Sequence, residues 1–387
     1  MSMTSRPAPT RVVLAGAYGY GATYLRRLAA LSASGAAELA GVCDPRPPSP
    51  DLDGVPAGTP WTDGLPELLD KVRPDVVVVA APIHRHVDLT EAALEAGADV
   101  LLEKPPAPTL AGFDALAERL ARTGRRVQVG FQSFGTEAVE HVRRLVADGV
   151  LGEVRGVGAA GAWVRTRAYW QRSAWAGRRV LDGRPVVDGV VTNPLAHALA
   201  TALRVDGGDR RGDLAGVHTE LFRANDIEAD DTSCVRVTTR RGGTVVAALT
   251  LCASQSREPY VVVVGSRGRA VLWYKTGRVD VTTAGGTTTR EFPFTDLLEN
   301  LLAHRRDPSV PLISPLERSG AFTEVLEAVR TSPPPVRIAE PHRVLVGDGP
   351  GAHAVVSGVD DAVDHAATTL RTFREQGLPW AGTVGSQ

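Results

Sequence analysis

The chain of 387 residues has few cysteines, a net charge near zero and no long apolar run, and each absence excludes a class of protein. Its three cysteines, Cys43, Cys234 and Cys252, are far apart and odd in number, which argues against a disulfide framework and favours a reducing, cytoplasmic location. No apolar stretch reaches the length that a membrane-spanning helix needs. The formal net charge of −1 gives no global field to attract nucleic acid or an anionic membrane. We therefore expect neither a nucleic-acid partner nor a membrane partner.

Lysine is also scarce: of the 43 lysines and arginines, only Lys71, Lys104 and Lys275 are lysines. The length predicts two domains, since a single hydrophobic core rarely grows beyond about 250–300 residues. Up to about residue 130, short apolar runs alternate with helical segments, as in Val12–Ala15 before a Gly-rich turn. The continuous β-branched run Asp75–Ala80 is typical of a strand covered on both faces. Residues 10–130 are therefore predicted to form a doubly wound parallel sheet of the Rossmann type.

From about residue 150 the pattern changes to longer β-like runs separated by Gly turns. These runs are Val154–Ala162, Val217–Arg223, Cys234–Thr239, Thr244–Leu251, Tyr260–Val264, Ala270–Tyr274 and Val279–Thr283. Helices are predicted at Pro194–Leu203, Pro315–Arg330 and Asp360–Gln376. The fold class is thus α/β plus α+β, with residues 131–387 built on a large, mostly antiparallel open sheet. Its last helix could pack back on the first domain.

The turn after the first strand has the composition of a dinucleotide-binding loop. In the G-x-G-x-x-G fingerprint, one glycine makes the turn, one admits the pyrophosphate and one lets helix and strand pack. Gly16 and Gly21 fill the first and third places, whereas Tyr18 stands in the second and Gly19 follows one residue late. The loop from Gly16 to Gly21, with Tyr20, is the candidate pyrophosphate site, and Tyr18 predicts either a more distant pyrophosphate or a turn that uses Gly19.

Asp44 ends the second strand, where an acidic residue can accept hydrogen bonds from the adenine ribose hydroxyls. An alternative is that Asp44 only starts a turn before Pro45. A carboxylate here would repel a 2′-phosphate, so NAD is favoured over NADP. Arg46 is close enough in sequence to weaken that preference.

The stretch VVVVAAPIHRHVDLTEAALEAGADVLLEKPPAPTL resembles the glucose–fructose oxidoreductase/inositol dehydrogenase (Gfo/Idh/MocA) family, whose hallmark stands here as Glu103-Lys104-Pro105. The resemblance implies dinucleotide use, a sugar or cyclitol substrate, and cofactor contacts from Pro82, His86, Glu103 and Lys104. It also implies that Lys104 reaches the oxygen on the reacting carbon, where a cation stabilises a developing alkoxide. The alternative for Lys104 is a surface lysine at a strand end.

A second family element, Asp-x-x-x-His, stands here as Asn193-Pro194-Leu195-Ala196-His197. The resemblance assigns general acid–base catalysis to His197, whose ordinary pKa near ~6.5 suits proton transfer at neutral pH. The spacing would place both side chains on one helix face. Asn193 departs from the family pattern, because an amide carries no charge and cannot act as a base. It is either an N-cap before Pro194 or a hydrogen-bonding partner of a substrate hydroxyl, while His197 could instead be a core residue.

The segment WVRTRAYWQRSAWAGRR, residues 163–179, gathers aromatic residues and arginines. Aromatic faces pack on sugar rings and arginines bind carboxylate or phosphate, so these residues are the candidate substrate wall: Trp163, Arg165, Tyr169 and Trp175. The alternative is a loop whose aromatics only cover the core. His84 and His86 lack further ligands nearby in sequence, so no metal site is predicted.

The sequence favours an NAD-dependent oxidoreductase acting on a sugar, sugar derivative or cyclitol. Two alternatives stay open: a glycosidase or lyase that oxidises its substrate transiently, and a non-catalytic dinucleotide or sugar sensor. By analogy with the family, an exposed sheet face predicts a homodimer or homotetramer.

Overall fold

The computed structural model describes residues 8–382, and the chain divides into two compact units. Unit 1 holds the described residues up to Ala107, together with Ala111–Gly130 and Leu297–Leu316. Unit 2 holds Pro108–Leu110, Phe131–Asp296 and the described residues from Glu317 onward. The return of Leu297–Leu316 to unit 1 was not predicted from the sequence.

Unit 1 alternates strands and helices in its first part. The strands are β1 (Thr10–Ala15), β2 (Ala37–Cys43), β3 (Trp61–Thr62), β4 (Val76–Val79), β5 (Asp99–Leu102) and β6 (Val127–Val129). The helices are α1 (Gly21–Ala33), α2 (Leu65–Val72), α3 (His86–Glu95) and α4 (Leu110–Thr123). All strands pair in parallel in the order β3-β2-β1-β4-β5-β6, which confirms the predicted doubly wound sheet.

The remaining elements follow in chain order. The helices are α5 (Ala138–Ala147), α6 (Arg167–Trp170), α7 (Ala196–Asp206), α8 (Leu297–Arg306), α9 (Gly320–Thr331) and α10 (Val359–Thr369). The strands are β7 (Val154–Ala162), β8 (Val180–Leu181), β9 (Arg184–Pro185), β10 (Leu214–Arg223), β11 (Thr232–Thr239), β12 (Thr244–Thr250), β13 (Tyr260–Gly265), β14 (Gly268–Trp273), β15 (Arg278–Thr283), β16 (Gly286–Glu291), β17 (Val336–Arg337), β18 (Arg343–Val346) and β19 (His353–Val356).

The main sheet of unit 2 has nine strands in the order β16-β15-β14-β13-β7-β12-β11-β10-β17. Its pairs are antiparallel except β7 with β12 and β10 with β17, so the predicted large, mostly antiparallel sheet is confirmed. The strand β16 was not predicted, because its sequence GTTTRE has no apolar residues. All six of its residues are exposed.

Strand β7 is covered on both faces by helices of its own unit. A Cβ atom at Gly161 would come within 2.8 Å of Leu195 at the start of α7, and one at Gly158 would overlap the backbone of Ala367 in α10. Neighbours of opposite parity point to opposite faces of a strand, so the small residues of β7 admit one helix on each side. At β7 the sheet thus has a helix on each face, while residues of β10 and β16 are exposed, and the oligomeric state stays a prediction.

Helix α8 packs on the parallel sheet of unit 1. Its leucines share a buried cluster with β1, β4 and α1, and they are Leu297, Leu298, Leu301 and Leu302. At its end, Arg305 donates to Asp99 at 2.7 Å and to Asp75 at 2.8 Å, each of which stands at the start of a strand. One face of the Rossmann sheet is thus completed by a helix far along the chain.

Three helix boundaries differ from the prediction. Helix α7 begins at Ala196, after a turn, and not at Pro194. Helix α9 begins at Gly320, because residues Leu316–Ser319 form a tighter 3₁₀ turn. Helix α10 ends at Thr369, since Leu370 takes a left-handed backbone conformation, and it packs on the sheet of unit 2. In the described part of the chain, no helix is long and apolar enough to cross a membrane.

Candidate functional site

The Gly-rich turn of unit 1 requires glycine at its two ends. Gly16 has φ +93°, and a Cβ there would lie 2.7 Å from the backbone of Ala80 at the end of β4. A Cβ at Gly21 would overlap the carbonyl oxygen of Gly16. Gly19 has φ +62° and open space around it, so the second positive φ of this turn falls at Gly19 and not at Tyr18.

The turn leads into the N-terminus of α1, the part of a helix that favours anions. Among the residues that the structure describes, no side chain caps this end and no acidic residue stands in its first turn. The residue before the helix, Tyr20, is 51% exposed. A helix start of this kind can donate backbone N–H groups to a phosphate.

Asp44 is buried at the end of β2 and holds the turn in place. One carboxylate oxygen accepts a hydrogen bond from the backbone N–H of Ala17 at 2.9 Å, and Arg46 donates to both oxygens. Burial opposes ionisation, yet these hydrogen bonds hold the pKa of Asp44 below its usual value. The turn-starter alternative is thus partly realised, because the backbone N–H of Arg46 lies 2.9 Å from this carboxylate.

Tyr18 and Arg46 lie beside Asp44. The guanidinium of Arg46 stacks 3.9 Å from the ring centre of Tyr18, whose hydroxyl donates to the carbonyl of Pro47. Trp61 donates its indole N–H to the carbonyl of Arg46 at 2.9 Å. The structure therefore groups three predicted cofactor residues, Tyr18, Asp44 and Arg46, and adds Trp61, whose sequence context gave no signal.

Glu103 and Lys104 stand at the end of β5. Glu103 is buried and accepts a hydrogen bond from the hydroxyl of Tyr24 at 2.6 Å and another from the backbone N–H of Lys104 at 3.1 Å. A Cβ at Gly130 would lie 2.7 Å from this carboxylate. Glu103 therefore braces α1 against the end of β6, and its predicted cofactor contact stays a proposal.

His86 joins the loops that follow β4 and β5. Its Nδ1 lies 2.8 Å from the carbonyl of Pro105, which follows a cis Lys104–Pro105 peptide bond, and its Nε2 lies 2.8 Å from the carbonyl of Ala81. Burial lowers the pKa of His86 to about 4, so the ring is neutral at pH 7 and donates to one of the two carbonyls. His86 thus positions the loop before α3, in which Pro82 is exposed. Within residues 8–382, no three His, Cys, Asp or Glu side chains group as metal ligands do.

In unit 2, His197 lies in the first turn of α7, half-buried, with its ring edge-on to Phe131. Its Nδ1 is 3.3 Å from the hydroxyl of Ser133, which accepts a hydrogen bond from Thr201 at 2.9 Å. The hydroxyl of Ser133 can donate to Nδ1 of a neutral ring or accept from it, so this contact orients the imidazole in either tautomer. Ser133 and Thr201 were missed, since their approach to His197 depends on the fold.

Asn193 is not the N-cap of α7, because the helix starts three residues later with Leu195 at its cap. The N-cap alternative is therefore wrong, and the two side chains do not share an α-helical face. The Nδ2 of Asn193 instead donates to Asp188 at 2.6 Å. Asp188, which is 1% exposed, also accepts hydrogen bonds from Arg172 and from the backbone N–H of Gly177, each at 2.8 Å. The sequence did not single out Asp188, because a lone aspartate in a loop carries no pattern.

The four candidate substrate residues lie together in unit 2. Arg172 stacks 3.8 Å from the ring centre of Tyr169 and 4.6 Å from that of Trp175. Arg165 stacks on Trp163 and Tyr169, and Lys275 lies 5.6 Å from the ring centre of Trp163. We call these residues the cation–aromatic cluster: Trp163, Arg165, Tyr169, Arg172, Trp175 and Lys275. The Arg172–Asp188 ion pair connects the cluster to Asn193.

Comparison with known proteins identifies relatives of part of the chain. Residues 10–131 match the family model described as an oxidoreductase family with an NAD-binding Rossmann fold, GFO_IDH_MocA. The D-glucoside 3-dehydrogenase of Escherichia coli K12 is 34% identical over 119 residues, which are 30% of this chain and 34% of that protein. The inositol 2-dehydrogenase of Streptomyces avermitilis is 34% identical over 147 residues, 36% of this chain and 41% of that protein. The chain thus spans about a third to two fifths of the length of these relatives.

Solved structures match most of the chain at low identity. The WlbA dehydrogenase from Bordetella pertussis, in complex with NADH and UDP-GlcNAcA, superposes with a TM-score of 0.67 and 18% identity, covering 83% of this chain and 95% of that one. The inositol dehydrogenase homologue from Azotobacter vinelandii, complexed with NAD⁺, gives a TM-score of 0.69 and 18% identity, covering 84% and 95%. At this identity the likeness establishes the fold of both units.

Proposed function

We propose that the chain, whose residues 10–131 match the GFO_IDH_MocA oxidoreductase model, is an NAD-dependent dehydrogenase or reductase acting on a CH–OH group. The proposed substrate is a sugar, a sugar derivative or a cyclitol, as the names of the matched relatives suggest.

One observation carries the proposal: the Gly turn, Asp44 and Lys104 all follow the carboxyl ends of parallel strands in unit 1. Ligands of open parallel sheets bind beyond those ends. The turn fits a pyrophosphate, because Gly16 and Gly21 leave no room for side chains and the start of α1 is uncapped within the described chain.

Asp44 is proposed to bind the adenine ribose hydroxyls. Arg46 now occupies both of its oxygens, but the Arg46 side chain is 60% exposed and can move aside. The negative charge of Asp44 favours NAD over NADP. Arg46, which pairs with Asp44, is a cation that could bind the 2′-phosphate of NADP.

Bound NAD would supply the acceptor or donor of hydride. In the direction of oxidation, Lys104 polarises the C–O bond of the substrate and stabilises the oxygen as it loses its proton. His197 accepts that hydroxyl proton, and Ser133 keeps its ring in one orientation. Asn193, whose Nδ2 donates to Asp188, is proposed to contact a substrate hydroxyl. A cytoplasmic location and a homo-oligomer remain part of the proposal.

The proposal is tested by assaying the purified protein with NAD⁺ and a panel of sugars and cyclitols, following the absorbance of the reduced cofactor. Lys104→Met should lower kcat about 10²–10³-fold, the scale seen when an oxyanion-stabilising group is lost. Lys71→Met is the matched control, because Lys71 is an exposed residue at the end of α2, and it should leave kcat unchanged.

The alternatives give other results in the same assay. Release of the aglycone from a glycoside without net cofactor reduction would indicate the glycosidase or lyase reaction. Tight NAD binding without turnover of any compound would indicate a sensor. Full activity of Lys104→Met would contradict the proposed role of Lys104.

A further inference from the structure

Arg165 of the cation–aromatic cluster is fixed by two aromatic rings. Its guanidinium lies 4.6 Å from the ring centre of Trp163 and 4.9 Å from that of Tyr169. Its Nη1 donates to the adjacent carbonyl of Val164 at 3.1 Å. The hydroxyl of Tyr169 also accepts a hydrogen bond from this side chain. Stacking on aromatic faces holds the planar fork of an arginine, and a guanidinium has five N–H donors, so others remain for a ligand.

Arg172 and Arg165 differ in their charge partners. Arg172 forms an ion pair with the buried Asp188 at 2.8 Å, so its charge is neutralised. Within residues 8–382, neither Arg165 nor Lys275 has a carboxylate within ion-pair distance. The cluster with Asp188 therefore has three cations and one carboxylate, which leaves an excess of positive charge beside Trp163.

The arginines also change how the aromatic rings can be used. The sequence predicted that the faces of Trp163 and Tyr169 pack on a sugar ring. In the structure Arg165 covers one face of each, and Arg172 lies still closer to Tyr169. The rings thus support cations, and what they present to a ligand is guanidinium N–H groups, which match carboxylate and phosphate oxygens.

We propose that Arg165, with Lys275 beside it, forms a subsite for an oxyanion carried by the substrate, so that the preferred substrate is an acidic sugar derivative. This inference depends on the proposed dehydrogenase function, which by itself leaves the charge of the sugar open. A carboxylate and a phosphate share the required chemistry, and the test separates them.

The test measures binding by calorimetry in saturating NAD⁺, with three probes: glucose, glucuronate and glucose 6-phosphate. The variant is Arg165→Met. The matched control is Arg290→Met, because Arg290 is an exposed arginine of the same unit that lies 5.7 Å from the ring centre of Phe292. We expect at least one acidic probe to bind the wild type tenfold or more tightly than glucose.

In Arg165→Met that acidic probe should bind about tenfold more weakly, and glucose should be affected less than twofold. Arg290→Met should behave as the wild type. The probe that responds identifies a carboxylate or a phosphate subsite. If neither acid binds the wild type better than glucose, or if Arg165→Met weakens all three equally, the inference is wrong.

Turnover separates this inference from the proposed function. Oxidation of neutral sugars without any preference for acidic ones would contradict the oxyanion subsite and support the dehydrogenase function. Arg165-dependent binding of an acid with no turnover of any probe would support the subsite and count against the dehydrogenase.

Discussion

Replacing Asp188 by asparagine tests the connection between Asn193 and the cation–aromatic cluster. Asp188 is almost completely buried and accepts hydrogen bonds from Arg172, Gly177 and Asn193. In Asp188→Asn the new amide oxygen must face the fixed backbone N–H of Gly177 and the guanidinium of Arg172. The new amide NH₂ then faces Asn193, whose side chain must rotate to accept where it now donates.

Asp188→Asn removes the charge from all three hydrogen bonds, and the largest loss is the ion pair with Arg172. A hydrogen bond to a charged group contributes about 1.5–3 kcal/mol, whereas the bonds to Gly177 and Asn193 can persist as neutral ones. We therefore expect the free energy of unfolding of unit 2 to fall by about 2–3 kcal/mol. For a domain of the size of unit 2, this corresponds to a loss of about 4–12 °C in Tm.

The assay is thermal and urea unfolding of the wild type, Asp188→Asn, Arg172→Met and the double variant. The double variant should lose less than the sum of the single variants, because removing both partners leaves no buried unpaired charge. Glu228→Gln is the control, since its partner Arg178 and Glu228 are each 52% exposed, and it should change stability by less than about 0.5 kcal/mol. An unchanged Tm in Asp188→Asn, or strict additivity with Arg172→Met, would refute the reasoning.

Two further predictions concern other parts of the chain. Gly16→Ala should destabilise unit 1 by more than about 3 kcal/mol and abolish NAD binding, because φ at Gly16 is +93° and the added Cβ would meet the backbone of Ala80. Gly19→Ala should cost only about 1–2 kcal/mol, because φ there is +62° and the space around it is open. Equal urea midpoints for the two variants would contradict this prediction. Hydrogen bonds from Arg236 hold the pKa of Glu375 at about 2. Since this is below its unfolded value, the pair stabilises the protein above about pH 5 and the effect fades as the pH falls towards 2. Both side chains are about a third exposed, so Glu375→Gln should lower the free energy of unfolding by only about 1 kcal/mol at pH 7, and by less at pH 3; a constant difference would count against the pair.

The parallel sheet could be predicted because its strands have the composition of buried β-strands. Val76–Val79 is a run of β-branched residues, all buried, and Gly97 follows the helix before β5. Helix α8 could not be predicted as part of that sheet, because Leu297–Arg306 joins it across about 170 residues of intervening chain. Local patterns identify elements, whereas long-range packing decides which sheet an element covers.

The candidate site was predictable only where a residue stands at a strand end or in a motif. Asp44, Lys104 and His197 have such positions. Ser133 does not, since folding brings it to His197 from 64 residues away. Asp188 does not either, because it lies in a loop without a motif, although it is only five residues before Asn193. In a chain with so many arginines, the identity of a residue says little about anion binding; its partners decide, as the contrast between Arg165 and Arg172 shows.

The departure at Asn193 is less severe than the sequence indicates. By resemblance this position would carry a carboxylate, and an amide there removes a charge. The fold nevertheless places the carboxylate of Asp188 at 2.6 Å from the amide nitrogen of Asn193, on a segment five residues earlier. That carboxylate is held by Arg172, so the neighbourhood of Asn193 contains an ion pair and not a free negative charge. Asn193 consequently has a fixed polarity, with its NH₂ towards Asp188, and a variant that restores aspartate at this position would place two carboxylates in contact. We infer that Asn193 and Asp188 form one hydrogen-bonded unit in this chain, in which the amide supplies the N–H donor that an aspartate at position 193 would lack.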